Sequence, residues 1–267
     1  MYLRGVHAEP DIQTLRQVIR ENPLGVLITS IPSENFPTIQ FSHLPWLLDV
    51  ADEDSDELGT LRGHLSRMNP HAKALTEAAK IDSESNGPLE DDVAVLFTLS
   101  SHSYVPPKFF TATKPATGKV VPTWNYVAVQ VYGKATILWD SKNPETSDYL
   151  QEQITDLTNH LERNIMHFTG GDRPEPWEVS DAPKSYVDLL KRRIMGIEIK
   201  VDRLEGKFKM TQEMGPADRE GVVKGFDGLG TEQSHHIARL VESRGAVKDA
   251  AKAAAKKVAD EAEDCVS

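Results

Sequence analysis

Cysteine is almost absent from this chain. Cys265 is the single one among 267 residues, so no intramolecular disulfide can form and a reducing compartment is expected. Long apolar runs are missing too: nothing approaches the roughly 20 residues that a membrane-spanning helix needs. The opening Met1-Tyr2-Leu3-Arg4 shows no apolar signal core. The expectation is the cytoplasm, with the nucleus left open, and no membrane partner. Positive charge is in short supply: 30 basic against 41 acidic residues give a formal net charge of −11. Such a surface repels phosphate backbones at long range, so direct DNA binding is not expected.

Several signatures of known chemistry are also lacking. There is no G-x-G-x-x-G and no P-loop, so the common nucleotide cradles are excluded. There is no H-E-x-x-H, no paired Cys/His zinc spacing and no G-x-S-x-G elbow. No helix-turn-helix with a basic recognition helix is visible. His235 and His236 are adjacent, so on a helix their side chains point about 100° apart and do not readily share one metal.

What is present is a chain long enough for a sizeable core, in one large domain or two small ones. Asp11 is placed to cap a helix carrying Leu15, Val18 and Ile19 on one face. Strands are expected over 24–30, near 38–48, over 58–65 and over 93–99. Asn69-Pro70 opens a second helix. Residues 81–92 and 101–117 read as irregular, the first acidic and the second rich in proline. A long strand is expected over 126–139, with Val127, Val129, Val131 and Gly133 on one side. Asn143-Pro144 starts a helix with Leu150, Ile154, Leu157 and Leu161 as its stripe. A short helix over 183–193 precedes a strand over 194–204. Glu205-Gly206 reads as a tight turn into a hairpin strand, 207–211. Short helices follow at 216–223 and 231–242, and an Ala/Lys-rich tail reads as a marginal helix or as disorder. Many strands with few separated helices indicate an α+β domain around an antiparallel sheet or barrel.

Four clusters can carry chemistry. Gly118 to Tyr126 places Lys119, Thr123, Trp124, Asn125 and Tyr126 behind Pro122, which stiffens a strand entrance. Ordinary core aromatics give the same pattern. Ser66 and Arg67 stand just ahead of a helix N-terminus, a combination that suits a phosphate and equally suits a cap beside a surface arginine. His102, Tyr104 and Lys108 lie in a stiff loop after a strand, where functional residues often sit. Lys207, Lys209 and Thr211 alternate with Phe208 and Met210, so two ammonium groups roughly 7 Å apart share one strand face, able to clasp an anion or simply to face water.

With these residues in view the chain becomes recognisable. Pro23-Leu24-Gly25, His43-Leu44-Pro45, Leu58 to His64, His102 to Pro106, Val120-Val121-Pro122-Thr123-Trp124-Asn125-Tyr126, Ser180 to Pro183, Glu205 to Lys209 and Asp218-Arg219 with Gly221-Val222 resemble, in order, the PaiB-type FMN-binding negative transcriptional regulator family. The resemblance implies an α+β fold, an antiparallel split β-barrel with peripheral helices, related to pyridoxamine-phosphate-oxidase-like flavoproteins and homodimeric. It implies FMN at the subunit interface, with Arg62, His64, Ser66, Arg67, Lys119, Thr123, Trp124, Asn125, Tyr126, Lys207 and Lys209 as the cofactor-binding set. Ser66-Arg67 matches the first two positions of a Ser-Arg-Lys phosphate element. Met68 stands where the lysine would be, which leaves Lys119, Lys207 or Lys209 to supply the missing charge. Residues 1–225 are expected as the FMN-binding domain and 226–267 as a C-terminal extension. Two alternatives stay open. One is a haem-binding or haem-degrading barrel with His235 or His236 on the iron. The other is a transcriptional regulator that works without touching DNA.

Overall fold

The computed structural model describes residues 1–81 and 87–264, with side chains to residue 260; Cys265 and the acidic stretch 82–86 lie outside the described residues. In chain order the elements are β1 (Ala8–Glu9), α1 (Ile12–Glu21), β2 (Leu24–Ser30), β3 (Ile39–Pro45), β4 (Leu47–Asp49), β5 (Thr60–Ser66) and α2 (Pro70–Ile81). Next come β6 (Asp92–Thr98), β7 (Ser103–Val105), α3 (Thr113–Thr117), β8 (Thr123–Leu138), α4 (Pro144–His160) and α5 (Lys184–Lys191). The chain continues through β9 (Ile194–Lys209), α6 (Pro216–Asp227) and α7 (Glu232–Asp264). It divides into two compact units: the first is Met1–Pro10, Thr98–Ala128 and Gly206–Ser267, the second Asp11–Phe97 and Val129–Glu205.

The second unit holds an antiparallel sheet with helices around it. Its strands follow the order β3-β2-β6-β8-β9-β5-β4. β3 runs through Trp46 straight into β4, so the two ends of that path are one residue apart in the chain, and β3 also touches β5. The sheet therefore curls back on itself, as the expected split-barrel class requires. Alternation drives the burial: Leu27, Leu61, Leu65, Val95, Phe97, Val129, Val131, Met195, Ile197 and Ile199 point inward. Two glycines permit the closeness. A Cβ on Gly63 would meet the Trp46 ring at 2.9 Å, and one on Gly133 would meet the Lys200 carbonyl oxygen at 2.0 Å.

The caps expected from sequence are in place. Asp11 Oδ2 accepts from the Thr14 amide at 2.8 Å, Asn69 Oδ1 from His71 at 2.9 Å, and Asn143 Oδ1 from Glu145 at 2.9 Å. Three local readings change. The strand expected near 38–48 breaks at Trp46, whose amide turns to the Pro23 carbonyl at 2.9 Å. The stretch 101–117 contains β7 and α3. No hairpin forms at Glu205-Gly206: Gly206 is not at positive φ, and it continues β9 by pairing with Glu9. In the first unit, β1 pairs with the end of β9 and β7 with the start of β8. α7 is one helix of 33 residues that carries the Ala/Lys-rich segment. Among the described residues no helix is long and apolar enough to cross a membrane.

His71 sits in the second unit's core between two hydroxyls, Thr29 Oγ1 at 2.8 Å from Nε2 and Ser42 Oγ at 2.9 Å from Nδ1. Burial pushes its pKa down from 6.5 to about 4. The folded state therefore refuses a proton that the unfolded chain accepts between those values, and stability falls as pH drops through that window. The ring's share of the loss is about 3 kcal/mol by pH 4. Urea unfolding at stepped pH should show this loss, and His71→Gln should remove it while lowering stability at pH 7. Gly133→Ala should lose about 1–3 kcal/mol in the same assay, because the added methyl forces β8 and β9 apart.

Candidate functional site

The first unit gathers a polar and aromatic group around the start of β8 and the end of β9. Strand alternation turns Asn125 inward and leaves Trp124 and Tyr126 on the opposite face. Trp124 is 48% exposed, whereas Asn125 is fully buried. β7 flanks the strand, with Tyr104 opposite Trp124 and Ser103 opposite Asn125. The Trp124 indole N–H donates to His102 Nδ1 at 3.3 Å, and the Tyr104 ring lies 6.4 Å away. Stacking surface is thus offered to water on a backbone held by a strand pair.

β9 brings two ammonium groups to the same region. Lys209 Nζ donates to Thr123 Oγ1 and, at 2.9 Å, to the Trp124 carbonyl. Lys207 Nζ donates to the Tyr2 carbonyl at 2.9 Å and stands 5.5 Å from the Tyr126 ring centre. Burial lowers the Lys209 pKa; Glu213 opposes this, and Lys207 and Arg4 add to it. Glu213 is itself bonded to the buried His7 at 3.0 Å. Beyond β9 the chain reverses at Thr211, a buried residue held at φ 61. Thr211 Oγ1 donates to Asn125 Oδ1 at 2.8 Å, while Asn125 Nδ2 has no hydrogen-bond partner among the described residues.

The expected cofactor set is thereby placed in two groups. Thr123, Trp124, Asn125, Tyr126, Lys207 and Lys209 come together in the first unit. Lys119 belongs to that unit as well and is exposed between α3 and β8. Thr211 does not share the lysines' face as expected, because the reversal at φ 61 carries it inward.

Arg62, His64, Ser66 and Arg67 lie on and just after β5 in the second unit. Arg62 is committed to Asp49 and, at 2.8 Å, to Asp156. Burial lowers its pKa, but the two carboxylates outweigh this and raise it. His64 is held below the ordinary histidine range by burial, and its Nδ1 has no hydrogen-bond partner among the described residues. Ser66 is exposed and its hydroxyl accepts from the Met68 amide at 3.2 Å. One Arg67 amino group donates to the Trp139 carbonyl at 2.5 Å, while its Nε and other amino nitrogen are buried without partners among the described residues. Burial lowers the Arg67 pKa, with Asp140 opposing.

His235 Nδ1 bonds Asp227 at 3.0 Å and His236 Nδ1 bonds Ser101 Oγ at 3.0 Å. Among the described residues no group of three or more His, Cys, Asp or Glu is arranged to hold a metal ion.

Residues 1–203 match the family model described as "Putative FMN-binding domain". The chain belongs to this FMN-binding domain family. An uncharacterized protein of Aspergillus fumigatus is 54% identical over 93% of this chain and 99% of its own length. The protease synthase and sporulation protein PAI 2 of Bacillus subtilis is 25% identical over 91% of this chain and 98% of its own length. The resemblance to the PaiB-type family stands on these matches. A solved FAD and haem binding protein of Mycobacterium smegmatis is similar at a TM-score of 0.45 and 11% identity, over 76% of this chain and 73% of that one.

Sequence reading missed how the loop before Lys119 is anchored. Asp218, buried at the start of α6, accepts from the Ala112 amide at 2.8 Å, from the Thr113 amide at 3.1 Å and from the Thr113 hydroxyl. Burial works to raise the Asp218 carboxyl, but the Thr113 hydroxyl and the two amides outweigh it and hold it below the usual carboxylate range. Gly221 lets the Phe109 carbonyl approach, since a Cβ there would lie 2.3 Å from that oxygen. Asp218, Arg219, Gly221 and Val222 were visible as a motif, but their partner loop lies over a hundred residues away. Asp218→Ala should lose about 1–3 kcal/mol in urea unfolding, because two amides at the start of α3 lose their acceptor.

Proposed function

We propose that this chain binds FMN, with the isoalloxazine ring held by the first unit's group around Trp124. One observation carries the reading: an exposed indole, a neighbouring exposed phenol and two lysines coincide at one strand end. A flat, phosphorylated heterocycle has a complement for each. Trp124, Tyr104 and Tyr126 supply faces for the ring. Asn125, buried on the opposite face of the strand from Trp124, supports the ring site from behind through its bond to Thr211. Lys207 and Lys209 give a positive potential that favours phosphate and the more negative form of a redox-active ring.

When bound, FMN supplies hydride or electron transfer. The chain's own residues bind and orient. Lys209 fixes Thr123 and the Trp124 carbonyl, and Thr211 fixes the Asn125 amide so that its oxygen is occupied and its nitrogen is not. Arg67 and Ser66, in the second unit, form a separate donor pair suited to an anion. The reading includes a homodimer, supported by the resemblance and by the exposed Leu24, Ile39 and Phe41 on adjacent strands β2 and β3. The net charge of −11 favours any role in gene control that acts through a partner rather than through DNA contact.

Purified chain titrated with FMN should quench flavin fluorescence and turn yellow. Lys209→Met should weaken binding about tenfold or more, the scale of one charge-assisted hydrogen bond. Arg67→Met measured beside it shows which cation bears on the phosphate. A chain that takes up no FMN at micromolar concentration removes the proposal. Light scattering of the same sample gives the subunit count.

A further inference from the structure

Resting on the flavin reading of the first unit, we propose that the first turn of α7 sets the orientation of the Trp124 ring, with Gln233 and His236 as positioning residues for the cofactor face. This helix begins well beyond the matched residues 1–203. Gln233 Nε2 donates to the Ser100 carbonyl at 2.9 Å and to the His102 carbonyl at 3.3 Å. His236 lies three residues on, hence on the same helix face, and its Nδ1 meets Ser101 Oγ at 3.0 Å. Ser101 is buried. Residues 100, 101 and 102 are thus pinned one after another by a single helical turn.

His102 is the link from that turn to the ring. It carries the acceptor for the Trp124 indole N–H, and the two rings are 5.9 Å apart at a 36° tilt. From His102 the chain enters β7, whose Tyr104 pairs with Trp124. A half-exposed indole has little packing of its own to select a rotamer, so the hydrogen bond to His102 matters more than it would in a core. α7 is a firm carrier for the constraint. Arg219 on α6 pairs with Asp249 of α7 at 3.1 Å, Arg244 pairs with Glu9, and Lys248 donates to the Met214 carbonyl at 3.3 Å. Ligand and helix are then coupled: whatever loosens the first turn of α7 weakens the cofactor, and the cofactor tightens that turn by the same factor.

The test uses two readouts on the full chain. The first is the Trp124 indole cross-peak in a ¹H–¹⁵N spectrum without flavin, identified by its loss in Trp124→Phe. The second is the FMN dissociation constant by fluorescence quenching. Gln233→Glu keeps the side-chain size but turns an acceptor toward two carbonyls. His236→Ala removes the second pin, and Ser101→Ala removes the same contact from the loop side should a helix variant fail to fold. Expected are a shifted or broadened Trp124 peak in each folded variant and FMN binding weakened about five- to tenfold, the effect of one lost neutral hydrogen bond. An unmoved peak in Gln233→Glu and Ser101→Ala overturns the proposal whatever FMN does. A moved peak with unchanged FMN affinity overturns it too. A moved peak in a protein whose wild type takes up no FMN leaves the positioning intact and sinks the flavin reading.

Discussion

Threonine is a poor residue for left-handed backbone, and a β-branched side chain held there is strained by about 1–3 kcal/mol. Thr211 adopts that conformation, at φ 61, directly after β9 ends. Gln212 stabilises the reversal from both sides, accepting from the Met210 amide at 2.7 Å and donating to the Phe208 carbonyl. The Thr211 hydroxyl then finds Asn125. Remove the reversal and the end of β9 loses its hold on the start of β8, where the aromatic face and the unused amide donor are found. Strain of this kind persists only where the surroundings over-determine it, and here two side chains and two strands do so.

The second unit follows a different logic. Its basic residues are struts more than free ligands. Arg62 is braced between Asp49 and Asp156, and Arg16 is buried with its guanidinium donating to the carbonyls of Glu53, Ser55 and Glu57, which ties down an acidic loop. Arg67 differs in degree: its Nε and one amino nitrogen are buried without partners among the described residues, against one such nitrogen each on Arg62 and Arg16. Buried, unused N–H groups are costly, and of these three arginines Arg67 carries the most.

Much of this was legible in the chain. Alternation and capping located most elements, since both are local: Asp11, Asn69 and Asn143 cap the helices their spacing assigned to them. The opposite faces of Trp124 and Asn125 were not read, because the strand expected over 126–139 starts three residues earlier, at Thr123. The reading failed where distant chain decides. Gly206 looks like a turn until Glu9 pairs with it, and Thr211 looks like one more residue on the lysine face until Asn125 claims its hydroxyl. The roles of Gln233, His236 and Asp218 were invisible for the same reason, since each acts on a loop more than a hundred residues away. The family resemblance supplied the cofactor class, which no spacing rule would have yielded.

The first unit is stitched from the beginning, the middle and the end of the chain. During synthesis, residues 98–128 emerge long before Arg244, which pairs with Glu9, and before Gln233, which pins Ser100. The second unit's last segment closes at Glu205, so it has all its residues earlier. A polypeptide ending near residue 220 would hold every barrel strand but lack Gln233 and His236, the side chains that bond residues 100–102.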